Sequence, residues 1–451
     1  MGFGTNVTEQ LIGTMSKQQG PRVLVCPSGF KESLNPVAVA DCIEAGILRA
    51  LPEAIITKCP LVDGGEGFTK SIVGATAGGE VHHLDVVGPV RRPVWSHFGI
   101  LGPTTTRTAI IEMAAAAGLS LVPNDQRNPM HTTSFGVGQL IKAALDSGVT
   151  GILLGCGDSG TCDGGLGMVQ ALGGRFYTTA GDEIPPAMGG VSLENLAAAD
   201  LSGLHPRLKE VKIDVACNWY NVLCGPQGVA RVFGPQKGAT PAEVERLGEA
   251  MDRVAAVVGS ALGKDISTAP GSGASGGMGA GLMLIGAELH PRFDVIGEFL
   301  NISTLVQQTD ICFTAEGGID EQTPRGKIPA HVARLAKESG VPVIALAGTV
   351  GAGARTNYEA GIDAYASILQ GPSTLQMAIQ DAERLLTDAA ESAMRMVMVG
   401  RALQRVLGPA VLPGGAGADV QKVMRRTRSA IAESSWSLPE CLLETVDRNV
   451  Y

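Results

Sequence analysis

Apolar residues in this chain come in two patterns. Some form short unbroken runs, and others recur every three or four positions over longer stretches. The first pattern predicts buried strands and the second amphipathic helices. RVLVC (22–26) reads as a buried strand, and NPVAVADCIEAGILRAL (35–51) as a helix with Asn35 as N-cap and Pro36 at its first position. AIITKC, GEVHHLDVV, VWSHFGIL, TRTAIIEMA and GILLGCG read as further strands, while TTSFGVGQLIKAALDSG and ATPAEVERLGEAMDRVAAVVGSAL read as helices. Later, TDICFTAEGG, VPVIALAG and DAYASI predict strands and PAHVARLAKES a helix. TLQMAIQDAERLLTDAAESAMRMVMVGRAL predicts one long helix. Strands alternating with helices, with glycine-rich loops at the strand ends, indicate an α/β fold with mainly parallel sheets. Ligand sites in such sheets lie outside the carboxyl ends of the strands.

Composition narrows this picture. A chain of 451 residues, 45% apolar, fills one large core or two ordinary ones, and two domains is the expectation. Its 61 glycines are nearly double the usual share of about 7%, which suits a compact, loop-rich chain. A net charge of −9 argues against a nucleic-acid partner, which needs clustered Lys and Arg. No apolar run approaches the roughly 18 residues of a spanning helix, and the polar lead 1–20 lacks signal-peptide order, so a cytoplasmic protein without a membrane partner is expected. Nine cysteines without a CxxC pair fit a reducing compartment.

Six loops carry candidate chemistry. CPSGFKES places Lys31 before a helix N-terminus, where an ammonium and the helix dipole together favour an anion. LVDGGEGF sets Asp63 and Glu66 on a glycine turn, suited to Mg2+ or to helix capping. GCGDSGTCDGGLG offers Ser159 and Thr161 as donors in an anion-binding nest and Asp163 as a base. CNWYNVLCGPQGVARVFGPQKGA supplies Asn218, Gln236 and Lys237 to orient a polar substrate or to satisfy a loop. In APGSGASGGMGAGL, Gly271, Gly273, Gly276 and Gly277 form either a phosphate cradle or a close-packed helix start. A dinucleotide fingerprint is a poor reading, because no βαβ strand directly precedes these glycines. TAEGGIDEQTPRGK (314–327) adds Glu316, Asp320 and Lys327 without the spacing of a Walker loop. Glycine turns, loop carboxylates and lysines together are the parts of a phosphoryl-transfer site.

The blocks GFKESL, DGGEG, IEMAAAAGL, RNPMHTTSFGVGQLI, SGTCDGG, GPQKGA, PGSGASGG and EGGIDEQTPRGK stand in the order of a known family. Over about residues 21–403 the chain resembles the bacterial-type glycerate kinases. The resemblance implies transfer of the ATP γ-phosphoryl group to a hydroxyl of D-glycerate or a related small hydroxy acid, giving 2- or 3-phosphoglycerate, with Mg2+ as cofactor. It also implies two α/β domains, one partly flavodoxin-like. The discontinuous domain is placed at 21–65 plus 290–403, the inserted domain at 66–289, and an extension at 404–451. Asp163, Asp320 and Lys31 are the implied catalytic residues. Asn128, Asn218, Gln236, Lys237 and Lys327 would meet substrate. Ser159, Thr161 and glycines 271, 273, 276 and 277 would hold ATP, and Asp63 and Glu316 the metal. A homodimer is compatible with these readings. The chain departs from the family pattern at Ser28, Cys162, Asn218 and Val222, and at Gly318, which replaces an Arg. A second reading is therefore a catalytically altered member that binds ligand in a regulatory role.

Overall fold

The structure, a computed structural model, describes residues 20–30, 33–74, 76, 78–103 and 106–407. Lys31, nearly all of the polar lead and the extension beyond 407, with a helix expected near 418–433, lie outside the described residues.

Thirteen strands are described. They are β1 (Arg22–Val25), β2 (Ile55–Lys58), β3 (Glu80–Val87), β4 (Pro93–Ile100), β5 (Thr108–Glu112), β6 (Gly151–Gly155), β7 (Arg175–Thr178), β8 (Leu196–Asp200), β9 (Lys212–Cys217), β10 (Glu288–Pro291), β11 (Ile311–Ile319), β12 (Val343–Val350) and β13 (Ala364–Ser367). They form a five-stranded sheet ordered β13-β12-β11-β1-β2, a six-stranded sheet ordered β10-β9-β6-β5-β4-β3, and the hairpin β7-β8.

The first sheet is parallel throughout. Counted in chain order its strands run 2-1-3-4-5, the flavodoxin-like order. The direction of winding reverses between β1 and β11, and in open parallel sheets the carboxyl end of such a junction is the usual place for a ligand. The second sheet is parallel from β5 through β6 and β9 to β10. It turns antiparallel at β3-β4-β5, a hairpin edge within a mainly parallel sheet.

Local sequence accounts for the main helices. Asn35 accepts a hydrogen bond from the Ala38 N–H at 3.0 Å and Pro36 opens helix Pro36–Ala50, which buries Val39, Ala40, Ile43 and Ile47. Thr240 and Glu243 form a reciprocal capping box at the start of helix Pro241–Leu262. The long helix expected near the end is two helices, Leu375–Gln380 and Ala382–Leu407. Asp381 separates them, leaving helical geometry at φ −94°, ψ 6°. Among the described residues no helix is long and apolar enough to cross a membrane.

Candidate active site

β11 runs straight into the loop at the β1/β11 junction. Its pairing with β12 continues to Ile319, and the chain then turns through Asp320 and Thr323–Arg325 into helix Ile328–Glu338. Thr323 is buried and its hydroxyl accepts from the Asp320 N–H at 3.2 Å, while the buried Asn357 donates to the Asp320 carbonyl at 2.9 Å. These bonds aim three charged side chains at one point. The Lys327 ammonium lies 3.5 Å from Glu316, 3.5 Å from Asp320 and 3.3 Å from the Gly318 carbonyl. Burial pushes the Asp320 carboxyl up, but the Gln322 N–H bond and the Lys327 charge outweigh it and hold this group below the usual carboxylate range. Gly318 itself is extended strand, and a Cβ there would meet only the Thr349 hydroxyl, at 3.2 Å. The backbone therefore does not demand glycine at this departure from the family pattern.

The Asp63 turn comes from the same end of this sheet and packs on the second one. Gly64 lies against Cys156 and Ala216, and the Glu66 N–H donates to Asp158 at 3.1 Å. The Gly67 and Thr69 N–H groups donate to Glu112 at 3.3 and 2.8 Å. Glu112 ends β5 and is only 4% exposed, so its carboxylate anchors the start of the next helix and fixes the turn. His97 lies 3.8 Å from Glu112, but burial pulls its pKa down to about 4, so near neutral pH this is a contact with an uncharged imidazole rather than an ion pair. Asp63 reaches Arg292 at 3.5 Å, and that guanidinium lies 4.6 Å above the Phe293 ring.

Several sequence candidates are turned inward and bonded to the protein itself. Asp163 is 3% exposed. Its carboxylate accepts from the Ser134 N–H (2.7 Å), the Ser134 hydroxyl (2.8 Å), the Gly165 N–H (3.2 Å) and the Thr133 hydroxyl (3.5 Å), three of them on one oxygen, so the group is tied into the protein. Lys237 is equally buried and donates to the Ser159 hydroxyl at 2.8 Å and the Thr161 carbonyl at 2.7 Å, clamping that loop. Ser159 is spent as its partner, and the Thr161 hydroxyl is buried with no partner among the described residues. Asn128 is consumed by Glu243 and the Met130 N–H, and Gln236 is exposed on the turn Pro235–Lys237. The cradle glycines face protein backbone. A Cβ on Gly276 would overlap the Thr161 carbonyl, and the Gly164 N–H donates to the Gly276 carbonyl at 3.1 Å. Gly271, Gly273 and Gly277 are likewise closed off, by Cys217, Val222 and Gly164. All four glycines are closely packed against protein atoms.

Burial pulls the Lys237 ammonium down from its ordinary 10.5 to about 8, against the pull of Cys162 and Asp163. Its folded pKa is thus the lower one, and between pH 8 and 10.5 the unfolded chain binds a proton that the folded chain does not. Stability should rise with pH across that window, by on the order of 3 kcal/mol, and stay level below it. Denaturation midpoints of the wild type and Lys237→Met, measured from pH 7.5 to 10.5, should diverge in favour of the wild type as pH rises. A constant difference would count against this linkage.

Between the carboxyl ends of β9 and β10 and helix Ile328–Glu338 lies a cavity of about 830 Å³, lined among others by Asn218, Arg292, Gly326 and His331. Sequence reasoning missed Arg292, Glu112 and Asp158. Arg292 directly follows a short strand of mixed polarity that carries little pattern, and Glu112 sits in a fully buried strand where periodicity says nothing about a carboxylate.

The Glycerate kinase family matches residues 23–398. A glycerate kinase of Bacillus subtilis (strain 168) is 44% identical over 376 residues, covering 82% of this chain and 97% of the relative. A glycerate 2-kinase of Escherichia coli (strain K12) is 42% identical over 380 residues, covering 84% and 98%. The crystal structure of the Salmonella typhimurium LT2 protein assigned as glycerate kinase 2 superposes with a TM-score of 0.72 at 41% identity, covering 85% of this chain and all of that one.

Proposed function

The chain belongs to the glycerate kinase family, and from that premise we propose that it transfers the γ-phosphoryl group of ATP to the 2-hydroxyl of D-glycerate. The name of the Escherichia coli relative supports the 2-position. The observation that carries the site assignment is the convergence of Glu316 and Asp320 on Lys327 at the β1/β11 junction.

Lys327 and Arg292 meet phosphate oxygens, and Asn218, which lines the cavity, contacts the acid. Asp320 is ionised at neutral pH and takes the proton of the attacking hydroxyl as the bond to the β-phosphate oxygen breaks and ADP leaves. Glu316 and Asp63 provide the hard oxygen donors that suit Mg2+, each already placed beside a cation, Lys327 and Arg292 respectively. When bound, Mg2+ neutralises charge on the phosphate oxygens. The Asp63 turn is held by Glu112 and packed on the second sheet, which fixes the position of its carboxylate. Lys31 keeps its expected role from sequence alone.

The division at 21–65 plus 290–403 against 66–289 is kept as a proposal, supported by the way the strands sort into two sheets. No observation favours the regulatory reading. An assay with ATP, Mg2+ and D-glycerate, tartronate or glycolate tests the proposal. ADP release is expected with D-glycerate at least tenfold above the other acceptors, and phosphorus NMR should identify 2-phosphoglycerate. No release above background with any acceptor would sink the reading.

A further inference from the structure

Three unbridged cysteines stand on adjacent strands of the first sheet, and the proposed reaction uses none of them. Cys26 directly follows β1, Cys59 directly follows β2, and Cys312 lies on β11. The β1/β2 register ends with Val25 opposite Lys58, which sets Cys26 opposite Cys59. The backbone agrees, since the Cys59 N–H donates to the Val25 carbonyl at 2.9 Å and the Leu61 N–H to the Pro27 carbonyl at 2.8 Å. The ladder closes there because Pro27 has no N–H to give. Residues opposite each other on parallel strands project to one face, and both thiols join the same core cluster. Cys312 is one pleat away, opposite Leu24. Paired strands run about 4.8 Å apart, inside the Cα separation of about 4.4–6.8 Å that a disulfide spans. β2 is a four-residue edge strand paired on one side only, so Cys59 has room to settle into such a bond.

We infer that Cys26 and Cys59 form a reversible disulfide when the protein meets hydrogen peroxide, and that this bond slows the kinase. The second part rests on the kinase reading and the first does not. The two thiols are unequal. Cys59 is 7% exposed, while Cys26 is fully closed off. The Cys26 S–H donates to Cys59 and pulls the Cys59 thiol down, outweighing burial, whereas the contacts with Cys312 and Cys59, and then burial, push the Cys26 thiol up. Cys59 is therefore the attacking thiolate. It takes one peroxide oxygen, the O–O bond breaks, and the departing hydroxide recovers the proton the thiol had released, giving water and a sulfenic acid. The Cys26 thiol then attacks the Cys59 sulfur, the S–O bond breaks, and the second hydroxide leaves as water with the Cys26 proton. Two thiols thus lose two electrons to one peroxide, and an added dithiol reverses the bond by exchange. The bridge ties the chain leaving β1 to the root of the turn that holds Asp63 3.5 Å from Arg292, and so shifts that carboxylate.

The test reads the bond apart from turnover. In the full-length protein, treatment with hydrogen peroxide, alkylation of the remaining thiols and tryptic digestion should give peptides 23–31 and 59–70 joined by one disulfide in the mass spectrum. The kcat with D-glycerate should fall roughly fivefold or more, because misplacing a site group by about 1 Å is enough for that, and dithiothreitol should restore it. Cys26→Ala and Cys59→Ala should each keep their own untreated kcat under peroxide. Cys42→Ala, which changes a thiol on helix Pro36–Ala50, should lose activity as the wild type does. Peptide 23–31 left unjoined after peroxide, or joined to the Cys312 peptide instead, overturns the bridge whether or not the protein is a kinase. A joined pair with an unchanged kcat overturns the switch. A joined pair in a protein that phosphorylates no acceptor, oxidised or reduced, sinks the kinase reading and leaves the bridge standing.

Discussion

Replacing Lys327 by methionine should lower kcat by about 10²- to 10³-fold, the cost of removing one preorganised donor from a site of developing charge. The side chain is partly exposed and replaces no core contact, so the melting temperature should change little. A second effect separates a catalytic loss from a structural one. Lys327 helps hold the Asp320 carboxyl below its usual range, so the variant's Asp320 should titrate at higher pH and the acid limb of its residual activity should move up with it. Steady-state kinetics and a pH profile of wild type and Lys327→Met check both. A kcat within threefold of wild type would remove Lys327 from the proposed machinery.

Gly276→Ala should destabilise the fold by about 3–5 kcal/mol, combining left-handed strain at φ +76° with overlap of the Thr161 carbonyl. Gly74→Ala is the control, since Gly74 ends helix Phe68–Gly74 and a Cβ there meets nothing within 4 Å; its stability should move by no more than about 0.5 kcal/mol. Chemical denaturation measures both. If these glycines serve packing, whatever Gly276→Ala protein remains folded should keep a nearly normal ATP KM. Stability within 1 kcal/mol of wild type together with a tenfold rise in the ATP KM would restore the phosphate-cradle reading.

The contrast between these two positions shows what the sequence made legible. Glu316, Asp320 and Lys327 lie within twelve residues, on a strand, a turn and a helix start whose own periodicity places them, so their convergence could be read locally. Strands such as β1 and β6 and the capped helices were legible for the same reason. Asp63 and Arg292 are far apart in the chain, and their 3.5 Å contact depends on how the two sheets meet. The turn at 159–165 has every mark of an anion nest in sequence, yet another loop's backbone at Gly276 and the Lys237 ammonium fill it. A glycine turn reads alike whether it faces a ligand or a second backbone. The β7-β8 hairpin was missed because RFYT and LAAAD are short and carry little alternation.

The strand order of the first sheet has a consequence for how the chain is made. β1 pairs on one side with β2, which leaves the ribosome soon after it, and on the other with β11, through Val23 and Ile311. Until β11 is synthesised, β1 has an open edge, and the β1/β11 junction that positions Glu316 and Lys327 does not exist. The six-stranded sheet lies wholly between them in sequence and can close first, bringing β1 and β11 within reach and shortening the effective loop between them. The phosphate-handling point is thus among the last features of the molecule to form, and slow pairing of distant strands, not local helix formation, should limit its appearance during refolding.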